Sequence, residues 1–192
     1  VDDLTWRFEL VEGATFANGE PADAAAVLWN LERVRDPAVG ARIRPWFDLV
    51  EEVRVVSDTV VEIETASPYP ALADQLSMFF LLPPEWAAAH EPARETMSGG
   101  RYVVADYVPG DHIVLEANPD YWGEPASIER VVFRTIPEGG SRIAALIAGE
   151  VDLITGIPVT EIARINERGT AEAGAIPSIR SVFIKFNTEK EP

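Results

Sequence analysis

Few residues in this 192-residue chain are of types that do covalent chemistry, and their spacing does not bring them together. The two histidines, His90 and His112, fall in different predicted elements. Neither sits at metal-ligand spacing from another histidine, so a zinc or two-histidine iron site is not expected and both read as surface residues. Cysteine is absent, which removes thiolate ligands, disulfides and cysteine nucleophiles and leaves the redox compartment open. No Gly-x-Ser-x-Gly elbow, Walker loop or Gly-x-Gly-x-x-Gly turn occurs. Carboxylates number 32, and at that density two acids fall near each other by chance, so a pair of them says little. The expectation is no catalytic residue, no metal and no cofactor.

A more distinct set is Arg42, Arg44 and Trp46, in a stretch punctuated by Pro45. A guanidinium beside an aromatic ring on a loop forms a cradle for a ligand carboxylate and its apolar body. A loop tryptophan tucked under its own hairpin fits the same residues. Trp6, Phe8 and Phe16 read as core, as does Trp29 on a helix.

The elements that must position these residues follow from periodicity. Thr5–Leu10 alternates as a strand, and Val11–Gly19, with its Asn18-Gly19 pair, predicts two short strands about a tight turn. A helix opens at Pro21-Ala22-Asp23, with Asp23 as N-cap, apolar Val27, Leu28, Leu31 and Val34, and a stop at Asp36-Pro37. Val50–Val56 and Thr59–Thr65 form a hairpin pattern that places Glu62 and Glu64 on one face. Short helices are expected around Ala71–Leu76 and Trp86–His90. Strands Tyr102–Val108 and His112–Ala117 flank the turn Pro109-Gly110-Asp111. The stretch Asn118–Gly123 is too punctuated for a regular element. From residue 130 the pattern alternates: strand Val131–Ile136, helix Ser141–Ala148, strand Val151–Ile154, helix Thr160–Arg168 and a strand near Val182–Phe186. That alternation argues for an α/β layer, so the expected division is a hairpin-built subdomain over 1–127 and part of an α/β subdomain over 128–192.

Composition bounds the rest. With 16 Lys and Arg the net charge is −16, which repels phosphate backbones and anionic lipid heads, so nucleic acid is not an expected partner. The 47% hydrophobic content and five tryptophans argue for a folded chain. No stretch approaches the roughly 20 apolar residues of a membrane span.

Several motifs then stand in a recognisable order. Thr5–Pro21, with Gly13, Phe16 and Asn18-Gly19, followed by Ala24–Val27, resembles the opening of the dipeptide, oligopeptide and nickel-binding family of ABC-transporter solute-binding proteins, family 5. Asn118-Pro119-Asp120-Tyr121-Trp122-Gly123 is similar to that family's signature. Ile136-Pro137, Arg142 and Gly149-Glu150-Val151-Asp152 match its strand–helix–strand step, and Phe186-Asn187-Thr188 its crossover strand. Ser98-Gly99-Gly100-Arg101-Tyr102 departs from the family's Gly-Thr-Gly-Pro-aromatic run but still supplies glycines for a close approach.

The resemblance implies a mixed α/β lobe of the type II periplasmic-binding-protein kind. It implies a non-catalytic receptor that captures peptides outside the cytoplasmic membrane and hands them to ABC permease subunits. An extracytoplasmic location follows, periplasmic or as a cell-surface lipoprotein, touching the membrane only through a lipid anchor or the permease, and monomeric. The family's chain is more than twice this length, so the sequence is expected to cover most of one lobe and to bind solute weakly or not at all by itself. Carried over residue by residue, Trp46 falls where nickel-binding relatives place a ligand-facing tryptophan, and Arg44 stands one position from their arginine. Phe79 occupies the place of a second arginine in those relatives, which speaks against a carboxylate-rich nickel chelate, and Asn187 is a candidate from the crossover strand. A nickel-chelate or opine-like receptor and the ligand-sensing domain of a transcription regulator are the alternatives.

Overall fold

The computed structural model describes residues 2–92, 94–97 and 99–177. Two compact units divide it, Val1–Arg134 and Thr135–Pro192.

The first unit opens with strand β1 (Thr5–Glu9). Gly13 and Gly19 take positive φ in the turns that follow. Instead of two paired strands, the Val11–Gly19 stretch makes a single bridge, Thr15 to Pro21, because the Asn18-Gly19 turn closes at once through Gly19 N–H to the Phe16 carbonyl. Helix α1 (Ala24–Arg35) begins where the sequence predicts: the Asp23 carboxylate accepts from Ala26 N–H at 2.9 Å, and Asp36 leaves helical geometry at its end. Strands β2 (Val50–Ser57) and β3 (Val60–Thr65) form the expected hairpin, and β1 adds to the other edge of β3, giving an antiparallel sheet of order β1-β3-β2.

Alternation along β3 separates the two faces of this sheet. Val61, Ile63 and Thr65 are buried, and Val61 and Ile63 meet Ala24, Leu31 and Val34 of α1 together with Phe47, Val50 and Leu72 in one core. Removing such side chains from water contributes on the order of 2 kcal/mol each. On the opposite face Glu62 and Glu64 lie side by side as expected. Arg7 reaches Glu62 at 2.9 Å, and Arg54 bridges Glu52 at 3.1 Å and Glu64 at 3.2 Å, which offsets the repulsion of like charges directly opposite in the register.

Short helices α2 (Leu72–Leu76) and α3 (Pro84–Ala89) follow, then a second antiparallel sheet of β4 (Tyr102–Val108), β5 (His112–Ala117) and β6 (Arg130–Arg134). The sequence assigns the strand beginning near residue 131 to an α/β layer. In the structure β6 pairs antiparallel with β5, and the two compact units divide after Arg134.

In the second unit α4 (Gly139–Ala148) is capped by the Glu138 carboxylate on Ser141 N–H and ends at Gly149, whose φ of 72° suits a left-handed C-cap. Helix α5 (Ile162–Arg168) ends on Gly169 in the same way. The predicted strand Val151–Ile154 is absent: this segment has no ladder partner among the described residues, and apolar composition alone does not make a strand. The predicted strand near Val182–Phe186 lies outside the described residues.

Candidate functional site

The stretch Arg44-Pro45-Trp46-Phe47 is one 3₁₀ turn between the end of α1 and the start of β2. Pro45 pre-sets its φ, and Phe47, 1% exposed, anchors it in the core. Arg44 donates from Nε to the Arg35 carbonyl at 3.1 Å, satisfying one of the free carbonyls at the C-terminus of α1. Trp46 is half-buried at the core's margin, and its carbonyl accepts from the Tyr69 hydroxyl at 3.0 Å. Phe79 meets Phe47 edge to face, ring centroids 5.4 Å apart at 63°.

Of the four candidate residues, Phe79 packs on Phe47, Arg44 lines a cavity with it, and Trp46 lies at the margin of the same core. Asn187 lies outside the described residues. Arg42 is exposed, and Phe80, next to Phe79, is 79% exposed. What brings Phe79 in from far along the chain is Asn30, buried on α1. Its side chain accepts from Leu82 N–H at 2.9 Å and donates to the Leu82 carbonyl at 2.8 Å, pinning the strap that follows α2.

The sequence reading missed Arg35 and Asp48. They line, with Arg44 and Phe47, a cavity of about 210 Å³. Arg35 donates from Nη2 to the Val50 carbonyl at 2.6 Å. It lies in the last turn of α1, where a basic side chain complements the helix dipole.

Other motif residues turn out to hold backbone. The Asn118 amide donates to the Gly100 carbonyl at 3.1 Å, and a Cβ on Gly99 would lie 3.0 Å from the Phe16 ring, so the glycine run serves a close approach. In the second unit Arg142 donates to the carbonyls of Ile136, Pro137 and Gly156 at 2.8–2.9 Å. A cavity of about 740 Å³ in that unit is lined mainly by aliphatic and small residues, including Leu146, Leu153 and Ile162, with no basic or aromatic side chain.

The histidines are not equivalent. His90 stacks on Trp86 at 4.8 Å and its Nδ1 meets the Trp86 carbonyl at 2.8 Å. His112 sits between two carboxylates, Asp111 at 2.7 Å from Nδ1 and Asp106 at 3.0 Å from Nε2. These bonds, Asp111's first, raise the His112 pKa, and the bond to His112 lowers that of Asp106. Hydrogen bonds from the Gly140 and Ser141 backbone N–H groups hold the Glu138 carboxyl below its usual range. No group of three or more His, Cys, Asp or Glu among the described residues could hold a metal ion.

The family model for bacterial extracellular solute-binding proteins, family 5 middle, matches residues 1–192. The nickel-binding periplasmic protein of Escherichia coli (strain K12) is 28% identical over 208 residues, covering 100% of this chain and 38% of that protein. The probable D,D-dipeptide-binding periplasmic protein DdpA of the same organism is 24% identical over 200 residues, with the same coverage. The chain thus spans 38% of the length of these curated relatives. Among solved structures, the PBP AgaA of A. tumefaciens R10 in complex with agropinic acid superposes with a TM-score of 0.79 at 24% identity, covering 86% of this chain and 34% of its own. That likeness bears out the expected mixed α/β, type II periplasmic-binding-protein fold.

Proposed function

Because the chain belongs to the bacterial extracellular solute-binding proteins of family 5, a family of receptors and not of enzymes, we propose that it serves an ABC importer by capturing di- or oligopeptides outside the cytoplasmic membrane. The match along all 192 residues carries this reading. Its site is the turn Arg44–Phe47 with Phe79: Arg44 supplies charge-assisted hydrogen bonds for a solute carboxylate, and Trp46 an aromatic surface for its apolar part. Asn187 is proposed as a further contact from the crossover strand. The receptor passes its cargo to permease subunits and acts as a monomer.

The named cargoes of relatives support a carboxylate-bearing solute of amino-acid type: a D,D-dipeptide, agropinic acid and, as a chelate with L-histidine, nickel. The 28% identity to a nickel-binding protein favours a second reading, a metal chelate. Against it stands Phe79, which by the resemblance takes the place of an arginine in nickel-binding relatives and packs here on Phe47.

Native mass spectrometry of the full-length protein, purified without refolding, tests both. A retained mass that fragments as a peptide is expected. A retained nickel chelate replaces the first reading by the second, and turnover of the retained molecule overturns both.

A further inference from the structure

The sheet β4-β5-β6 has one face on which two successive rows carry no charge. Its register sets Tyr107 of β4, Ile113 of β5 and Phe133 of β6 opposite one another in a row that crosses all three strands. Val104, Leu115 and Val131 form the next row on the same face. A register shift between Val104 and Asp106 makes this possible. Strict alternation would send Val104 and Tyr107, three residues apart, to opposite faces, and the bulge returns them to one. The reverse face carries the charge: His112 stands opposite Arg134 and bonds Asp106, and Glu116 stands opposite Arg130 and pairs with it. An antiparallel sheet of this kind turns its charged face to water and its apolar face to a covering layer. Here that layer is incomplete. Val104, Leu115 and Val131 are half-buried, but Tyr107 is 51%, Ile113 36% and Phe133 58% exposed. Single apolar residues on a surface need no explanation, whereas three large ones side by side form a contiguous patch.

We propose that polypeptide of the same molecule outside residues 1–192 lies across Tyr107, Ile113 and Phe133, so that this face is an internal interface of the whole protein. The chain spans 38% of the length of the relatives it matches, so in proteins of that size most of the polypeptide lies outside it. A three-stranded sheet depends on a packed hydrophobic face for its stability, and a tethered layer meets that face at high effective concentration. A second copy brings another charge of −16 to a molecule of the same sign, and repulsion works against that pairing. The uncharged rows also offer no side chain that would pair with an ionic partner. The inference rests on family membership and is independent of the cargo.

Two measurements on the full-length protein test this. Hydroxyl-radical footprinting is expected to oxidise Tyr107 and Phe133 at least tenfold more slowly than in the urea-unfolded protein, with the same protection across a hundredfold range of protein concentration. Full-length protein carrying photoreactive p-benzoylphenylalanine at position 133 is expected to form, on irradiation, an intramolecular crosslink to a peptide outside residues 1–192, identified by mass spectrometry. Rapid oxidation of both rings overturns the proposal even where the photoreactive variant fails to fold, and so does a folded variant that crosslinks to nothing. Protection that fades on dilution, or a crosslinked dimer, assigns the face to a second copy and overturns it. A crosslink within residues 1–192 assigns the face to elements of this chain and overturns it as well. Solute retention is read on the same preparation by native mass spectrometry, so the receptor reading stands or falls separately.

Discussion

Glu20 shows how one side chain of the opening motif organises distant backbone. It accepts from the N–H groups of Glu85 at 2.8 Å and Trp86 at 3.0 Å, the first free donors of α3, and also from the Asn18 amide. Glu20→Ala should therefore cost about 1–2 kcal/mol, read as a lower denaturant midpoint with an unchanged slope; an unchanged midpoint contradicts the capping role. His112 gives a pH dependence. The group has a raised pKa, so its contribution is full below the ordinary imidazole value and is lost as pH rises through the folded one. Asp106 has a lowered pKa, so its contribution is present above the ordinary carboxylate range and is lost as pH falls through the lowered value. Asp111 shares the imidazole, and Arg130 on β6 adds to the field at Asp106. The β4–β5 hairpin should thus be best held between those limits. An NMR titration should find His112 titrating above the ordinary imidazole value, and Asp106→Asn should move it down. Titration at the ordinary value in the unsubstituted protein would count against the bridge.

At the scale of elements, α1 does most of the positioning. Its start follows from local chemistry, and Asp23→Ala should remove about 1 kcal/mol. Asn30 links it to residues far along the chain. Asn30→Ala leaves the Leu82 N–H and carbonyl without their partner, at a cost of about 2–3 kcal/mol. Faster amide exchange confined to the strap around Leu82 should accompany the loss, whereas uniform exchange would mean that Asn30 merely fills volume. The cap at Asp23 was legible because a cap is a contact within a few residues. The hairpins β2–β3 and β4–β5 were legible for the same reason. Val151–Ile154 finds no ladder partner among the described residues, since a strand exists only through a partner, and a run such as Arg130–Arg134 fits an antiparallel edge as well as a crossover strand.

For the molecule as a whole, a charge of −16 means that like charges repel across the folded surface. Added salt screens this, so the thermal midpoint should rise between about 20 and 200 mM sodium chloride, over which the Debye length falls from roughly 20 to 7 Å. A midpoint that falls would place the surface ion pairs, such as Arg54 with its glutamates, above the net repulsion. The order of motifs along the chain was sufficient to name the family, because motif order is a property of sequence alone. The candidate residues Arg44, Trp46 and Phe79 were also found there. The packing of Phe79 on Phe47, and the cavity lined by Arg35, Arg44, Phe47 and Asp48, were decided only in three dimensions. Local spacing specifies caps, turns and face alternation, whose partners lie within one turn or one hairpin. A cavity forms where the end of α1 meets the Arg44–Asp48 segment, and that meeting is set by burial of a shared core that no short window of sequence contains.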